Sequence, residues 1–392
     1  MNSLGKNFVL VASALFFVLC LSGEACYCFM RPMSTLDTLA YVSLLDGGGR
    51  KAFQEAGKTC AVHVPGPHNG CDISDSRAFK TVAAYSPADY STFVRFYRVM
   101  PLYMWSAYAI QHLFRVNSFV ALRIISSLSY LLIALALALW LGEHLPAPFA
   151  CLGALLIASL PPVLDLGKHL TPDALSAALV LMVIDTIYYR ARNLVLQLAM
   201  LIILPLSRPD NLIFCALVGA VLIYRATPSF RPLITRLTGL AAGCILFDAL
   251  LQKMTRALPY TILFIHSFIN FWAPPSSYSK MYISFHDYLY ALISYGSRSA
   301  LINFPLPILF SVLALACVSY SRPLRDLVFV SMATAFLHLI LFPNMEERFY
   351  TWYLVIAAAA CTCLLGEVLS VKQSWSRVLS DRPVAKSASA GL

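Results

Sequence analysis

Apolar stretches of membrane-crossing length recur along this chain, and no other feature narrows its fold as far. A bilayer core takes about 20 consecutive apolar residues in a helix. Ten such stretches read at approximately 8–28, 119–141, 147–164, 173–189, 193–207, 211–225, 234–251, 299–320, 326–343 and 349–370. In lipid a helix satisfies its own backbone groups, so the spacing predicts an all-α membrane protein of about ten transmembrane helices. The fifth and sixth stretches are short and break at Pro205 and Pro209. Membrane helices tolerate such breaks where neighbours or a cavity satisfy the freed groups. Composition agrees: 12% of residues are charged, about half the fraction usual in soluble domains. One membrane domain, 1–371, takes up nearly all of the 392 residues. The segment 372–392 is basic and rich in small residues, and is expected to be a disordered cytoplasmic tail.

The formal charge of +10 does not point to nucleic acid. The basic residues fall in short loops between apolar spans rather than in one stripe, and they suit topology signals and anionic membrane lipids. The stretch after Lys6 has the look of a signal peptide, but Ser22-Gly23-Glu24-Ala25 carries a charge where a cleavage site needs small neutral residues. A retained anchor is expected.

Residues 100–114 are apolar but only about 15 long, short for a span and suited to an interfacial helix. The positive-inside rule decides whether they cross. If they do not, the inner face carries Lys6, Arg190, Arg192, Arg225, Arg231, Arg236, Arg322, Arg325 and the basic tail. The outer short loops then carry Lys168, Arg208, Lys253, Arg256, Lys280, Arg298 and Arg348. Both termini are therefore expected in the cytoplasm, with 30–118 and 252–298 as large exported loops rich in aromatic residues and proline. No internal repeat is visible, so an inverted-repeat transporter finds no support.

Charge at membrane depth is costly, and ionisable residues at helix ends are functional-site candidates for that reason. Four groups share the outer face in this topology. Asp37 follows the first span; it can serve as a general base or metal ligand, or simply as a first-turn acid on a juxtamembrane helix. Thr171-Pro172-Asp173 has the grammar of a helix start, with Thr as cap, Pro in the first turn and Asp toward the dipole. That grammar does not explain Lys168-His169 just before it, two cations suited to an anionic group. Arg208 precedes Pro209 in a broken helix, where its guanidinium either snorkels to the interface or holds a phosphate. Glu346-Glu347-Arg348-Phe349-Tyr350 opens the last span. A cation at a helix start is unfavourable, so a bound anion would offset the placement of Arg348.

Cys60, His63, His68 and Cys71 have a spacing superficially like that of a zinc site. The exported side is oxidising, and Pro65, Gly66, Pro67 and Gly70 make a turn between the cysteines, so a Cys60–Cys71 disulfide is expected before a metal. No dinucleotide-binding, P-loop, zinc-protease or nucleophile-elbow motif is present.

Taken in order, these pieces resemble the GT-C superfamily of integral-membrane glycosyltransferases, whose relatives include aminoarabinose transferases and protein O-mannosyltransferases. The family begins with one span and then an exported loop with an acid near its start; here that is Asp37, with Tyr41 four residues on. The helix from Pro101-Leu102-Tyr103 is similar to the family's juxtamembrane helix, and Arg123 matches an arginine opening the next span. Leu170-Thr171-Pro172-Asp173 is similar to the family's outward Asp, Arg208-Pro209 to its basic residue near the donor phosphate, and Arg348-Phe349-Tyr350 to its late Arg-aromatic start. Relatives often carry a second acid beside the first; this chain has Thr38 there, and Arg98-Val99-Met100 before Pro101. That departure weakens the case for a divalent metal, and no cofactor is specified.

The resemblance implies a sugar donor on a polyprenyl-phosphate carrier, an acceptor that is a glycan, lipid or protein, and a site at the outer face of a bacterial inner membrane. Asp37 would be the base. Arg208, Arg348, Lys168 and His169 would neutralise the departing phosphate, with Tyr41, Arg98, Asp173, His266 and His286 in positioning roles. The competing expectation is a non-enzymatic transporter or flippase. It needs ionisable groups at the bilayer midplane, and the deep acids Asp185 and Asp248 both read near helix ends.

Overall fold

The computed structural model describes residues 3–64, 86–190, 194–227, 229–269, 274–296, 310–314, 322–343 and 347–380. Every regular element among them is helical. Among the described residues, four helices are long and apolar enough to cross a membrane: α1 (Ser3–Met30), α6 (Ser118–Gly142), α12 (Phe230–Thr255) and α15 (Arg322–Leu341); most of the expected span 299–320 lies outside them. The expected third span is instead a bent pair, α7 (Ala147–Ala158) and α8 (Pro161–Lys168), meeting at 69°. Pro161 and Pro162 cause the break, because neither has an N–H to continue the α7 ladder. Shorter apolar helices are α9 (Asp173–Ile184), α10 (Leu194–Ser207) and α11 (Asn211–Ala226). The long final helix, α16, runs Thr351–Ser380. The chain is thus a helical protein built for a membrane.

Between α1 and α6 the described residues of the expected exported loop form four α-helices: α2 (Leu36–Leu45), α3 (Arg50–His63), α4 (Pro87–Phe93) and α5 (Pro101–Phe114). The apolar stretch at 100–114 is therefore one helix of 14 residues. Among the described residues, two more short α-helices follow α12: α13 (Tyr260–Phe264) and α14 (Phe285–Ala291).

Two cores differ in composition. The core around α1, α6, α7, α9 and α16 is rich in small residues, with Ala134, Ala154, Ala158, Ala177, Ala178 and Ala360 all buried. In lipid, helices gain little hydrophobic drive from associating and pack through close backbone approach. Gly167 is the sharpest case. A Cβ there would fall 2.9 Å from Cys28 Sγ and 3.0 Å from Tyr130 Cβ, so only glycine lets α8 lie against α1 and α6. The second core, built around α2 to α5, is aromatic: Tyr41, Phe53, Tyr90, Phe93 and Tyr103 pack together. Burying such side chains out of water stabilises by about 1.5–3 kcal/mol each.

One backbone tie sets the site. The Met33 N–H donates to the Lys168 carbonyl (2.8 Å) and the Leu170 N–H donates to the Met33 carbonyl (3.2 Å), an isolated parallel bridge. Thr38 reinforces it by donating to the Leu170 carbonyl (3.4 Å) while accepting from the Thr35 N–H (3.0 Å). The chain leaving α1 is thereby pinned to the chain entering α9.

Candidate functional site

The pinned backbone brings the start of α2 against the start of α9. Asp37 lies in the first turn of α2 and Asp173 opens α9. Pro172 itself takes the cap position, and the Thr171 hydroxyl, expected to cap the helix, donates instead to the Asp173 carboxylate (2.6 Å). The break between α10 and α11 contributes Arg208 and Asp210, and the turn before α16 contributes Arg348.

These groups form a ladder of alternating charge. Arg348 donates to Asp37 (2.6 Å) and lies 3.5 Å from Asp173. Arg208 pairs with the other oxygen of Asp173 and grips Asp210 in a fork, through Nε (3.0 Å) and Nη2 (2.7 Å). His338, from α15, ends the ladder 3.3 Å from Asp210. Phe349 sits beneath both guanidinium groups, 4.4 Å from Arg208 and 5.0 Å from Arg348. Arginine suits this placement because its planar cation stacks and hydrogen-bonds at once.

Depth changes along the ladder. The Asp173 side chain is 3% exposed and the two arginines 8–9%, whereas the end carboxylates Asp37 and Asp210 are 24% and 26% exposed. The middle of the ladder is thus enclosed, and Asp37 and Asp210 are its open ends. Burial alone would raise the pKa of Asp210, but the adjacent Arg208 charge and the His338 contact outweigh it and hold the carboxyl well below its ordinary range. Three phenols wall the Asp37 end. Tyr41 is buried edge-on to Tyr97 and Tyr103, at 5.4 and 5.2 Å between ring centres. Burial first, and the neighbouring Asp37 second, hold the Tyr41 and Tyr97 hydroxyls protonated far above their usual titration range.

Of the residues expected to share one site, Asp37, Asp173, Arg208 and Arg348 are brought together, with Tyr41 alongside. Both arginines are already paired with carboxylates, rather than standing as cations awaiting a phosphate. Lys168 is spent elsewhere, bonded to Asp165 (2.8 Å) and over the Tyr27 ring (5.0 Å). His169 borders the site: its Nδ1 lies 2.7 Å from the Asp165 carbonyl, and burial is the main cause that lowers its pKa, with Arg348 assisting. His266 is buried, stacked on Phe96 (5.1 Å) and 3.0 Å from the Tyr278 hydroxyl, with its pKa pushed down to about 4 by burial. Arg98 lies in a separate cleft, and His286 is exposed on α14. Thr38, at the place of the missing second acid, is fully buried and committed to backbone bonds.

Asp210 and Phe349 stand in the sequence groups around Arg208 and Arg348 but carried no role of their own there, and His338 and Tyr97 carried no expectation. Asp210 stands two residues from Arg208, and a histidine inside the apolar run of α15 is itself a signal, because an ionisable group in a span needs a partner. Cys60 is disulfide-bonded; Cys71, its expected partner, lies outside the described residues, as does His68. Among the described residues no group of three or more His, Cys, Asp or Glu side chains could hold a metal ion.

No family model matches the chain, and no curated protein matches it.

Proposed function

We propose that this protein is an integral-membrane glycosyltransferase of the GT-C type, moving a sugar from a polyprenyl-phosphate carrier to an acceptor hydroxyl at the exported membrane face. The proposal includes the ten-span topology with both termini cytoplasmic, in a bacterial inner membrane. The observation that carries it is the ladder itself. Four residues singled out in sequence, as far apart as Asp37 and Arg348, share one network that leaves Asp37 a partly open carboxylate at one end.

In this reading Asp37 accepts the proton of the acceptor hydroxyl, whether on a glycan, a lipid or a protein. The hydroxyl oxygen forms a bond to the anomeric carbon, and the bond from that carbon to the phosphate oxygen breaks. The phosphate keeps the electron pair. Its new charge is met by Arg348, which turns from Asp37 as that carboxylate is protonated; Arg208 stays locked in its fork and holds Asp173 in place. Preorganised charge of this kind is often the largest catalytic contribution. Tyr97, kept protonated beside Asp37, offers a donor to sugar or phosphate oxygens at the same end.

The test is complementation. Cells lacking the protein are compared with cells carrying it by mass spectrometry of surface glycans and lipid-linked sugars, and the missing glycan is then sought in cells expressing Asp37→Asn at equal membrane levels. Loss of a general base should reduce transfer by about 10²–10⁴-fold, with the lipid-linked donor accumulating. Full restoration by Asp37→Asn would remove Asp37 as the base, and unchanged glycans in the deletion would remove the whole reading.

A further inference from the structure

A second polar region lies apart from the ladder. Arg95 and Arg98, just after α4, and Lys253 and Arg256, at the end of α12, line an open cleft of about 600 Å³. No carboxylate lines it, and among the described residues none of the four cations is ion-paired. The nearest acid along α12, Asp248, is one turn below Gln252 and bonded to it (2.7 Å).

The cleft is built, not incidental. Arg256 closes α12 in the left-handed conformation (φ 53°), which reverses the chain. Its carbonyl then accepts from Arg95 Nε (2.8 Å), clasping the two walls together. The helix dipole accounts for cations at the end of α12, and the clasp accounts for Arg95. Neither accounts for Arg98, which adds a fourth like charge three residues beyond Arg95. Four cations facing one hollow repel each other, and an anion between them reverses that term.

The route of access narrows the ligand. In α12 none of the residues of its most apolar stretch is buried, and Ile245, Leu246, Leu250 and Met254 stand out from the protein. A helix with that surface faces lipid. The cleft sits where α12 ends, so it opens at head-group level beside acyl chains. We infer that this cleft binds the phosphate of a membrane lipid head group. The inference rests on the membrane location and the cleft, and is independent of glycosyl transfer. A phosphomonoester, with nearly two charges, balances the four cations better than a diester with one.

The full chain, purified in an uncharged detergent, would be titrated with phosphatidic acid, phosphatidylglycerol, phosphatidylcholine or inorganic phosphate. Retained ligand is read by native mass spectrometry and stabilisation by the thermal midpoint. One copy of phosphatidic acid or phosphatidylglycerol should be retained and should raise the midpoint, the former more. Phosphatidylcholine should do neither. Arg98→Gln with Lys253→Gln and Arg256→Gln should weaken binding at least about tenfold, while Arg98→Lys with Arg256→Lys retains it. If the triple variant does not fold, Arg98→Gln alone should still weaken binding about threefold. Asp37→Asn should bind as the parent does, which separates this site from the ladder. Equal retention of phosphatidylcholine, or undiminished binding by the glutamine variants, would overturn the site. Equal protection by inorganic phosphate alone would overturn the lipid assignment.

Discussion

The ladder is built on two arginines and the cleft on four cations, and the protein treats them in opposite ways. In the ladder Arg208 and Arg348 are enclosed, and each is matched to carboxylates. In the cleft Lys253 and Arg256 are exposed and unmatched. The difference follows from solvent. An enclosed charge without a partner costs several kcal/mol, whereas water screens a charge at the rim. Pairing in the ladder is therefore a condition of folding, and the lack of it in the cleft leaves charge available for a ligand.

The largest expected effect tests that contrast directly. Arg208→Ala leaves Asp173 and Asp210 without their shared cation and should cost about 3–5 kcal/mol, seen as a marked fall in thermal midpoint. Adding Asp210→Asn should recover part of the loss. A midpoint unchanged by Arg208→Ala would mean that water reaches the inner rungs, and the two regions would no longer differ.

His266 sharpens the comparison from a third side, because burial rather than pairing keeps it neutral. Its pKa is pushed from an ordinary 6.5 to about 4. As pH falls from 6.5 to 4, the unfolded chain takes up a proton that the fold refuses, so stability drops through that window. The total is about 3 kcal/mol, and the loss levels off below pH 4. His266→Gln should flatten the dependence of the midpoint between pH 7 and 5. An equally steep dependence in the variant would place the titrating group elsewhere.

The smallest effect belongs to the cleft. Lys253→Gln should change stability by no more than about 0.5 kcal/mol in lipid-free detergent, and in the stabilising direction, because it relieves repulsion. A clear loss would show that Lys253 has a structural partner.

Much of the helical layout was legible, because long apolar runs permit little else in a membrane. The break in the 147–164 stretch was less so: Pro161-Pro162 was visible, but the 69° bend also needs Gly167, whose role appears only when Cys28 and Tyr130 close on it. Asp37, Asp173, Arg208 and Arg348 were readable because each stands at the end of an apolar stretch. Their mutual pairing was not, since it depends on the Met33–His169 bridge, which has no local sequence signal. Lys168 misled for a simple reason. It lies three residues from Asp165, a spacing that places both on one helix face, and the local pair was satisfied first.

The distance along the chain between Asp37 and Arg348, 311 positions, has a consequence for biogenesis. At roughly 5–20 residues per second of synthesis, Asp37 reaches the membrane about 15–60 s before its partner is made. During that interval Asp173 also lacks both of its guanidinium neighbours, until Arg208 arrives. The nascent protein therefore carries uncompensated acids at the bilayer edge and settles only when its last segment inserts. A ribosome that stops short of residue 348 releases a product marked as incomplete by its own electrostatics, open to membrane proteases that sample loosely held helices.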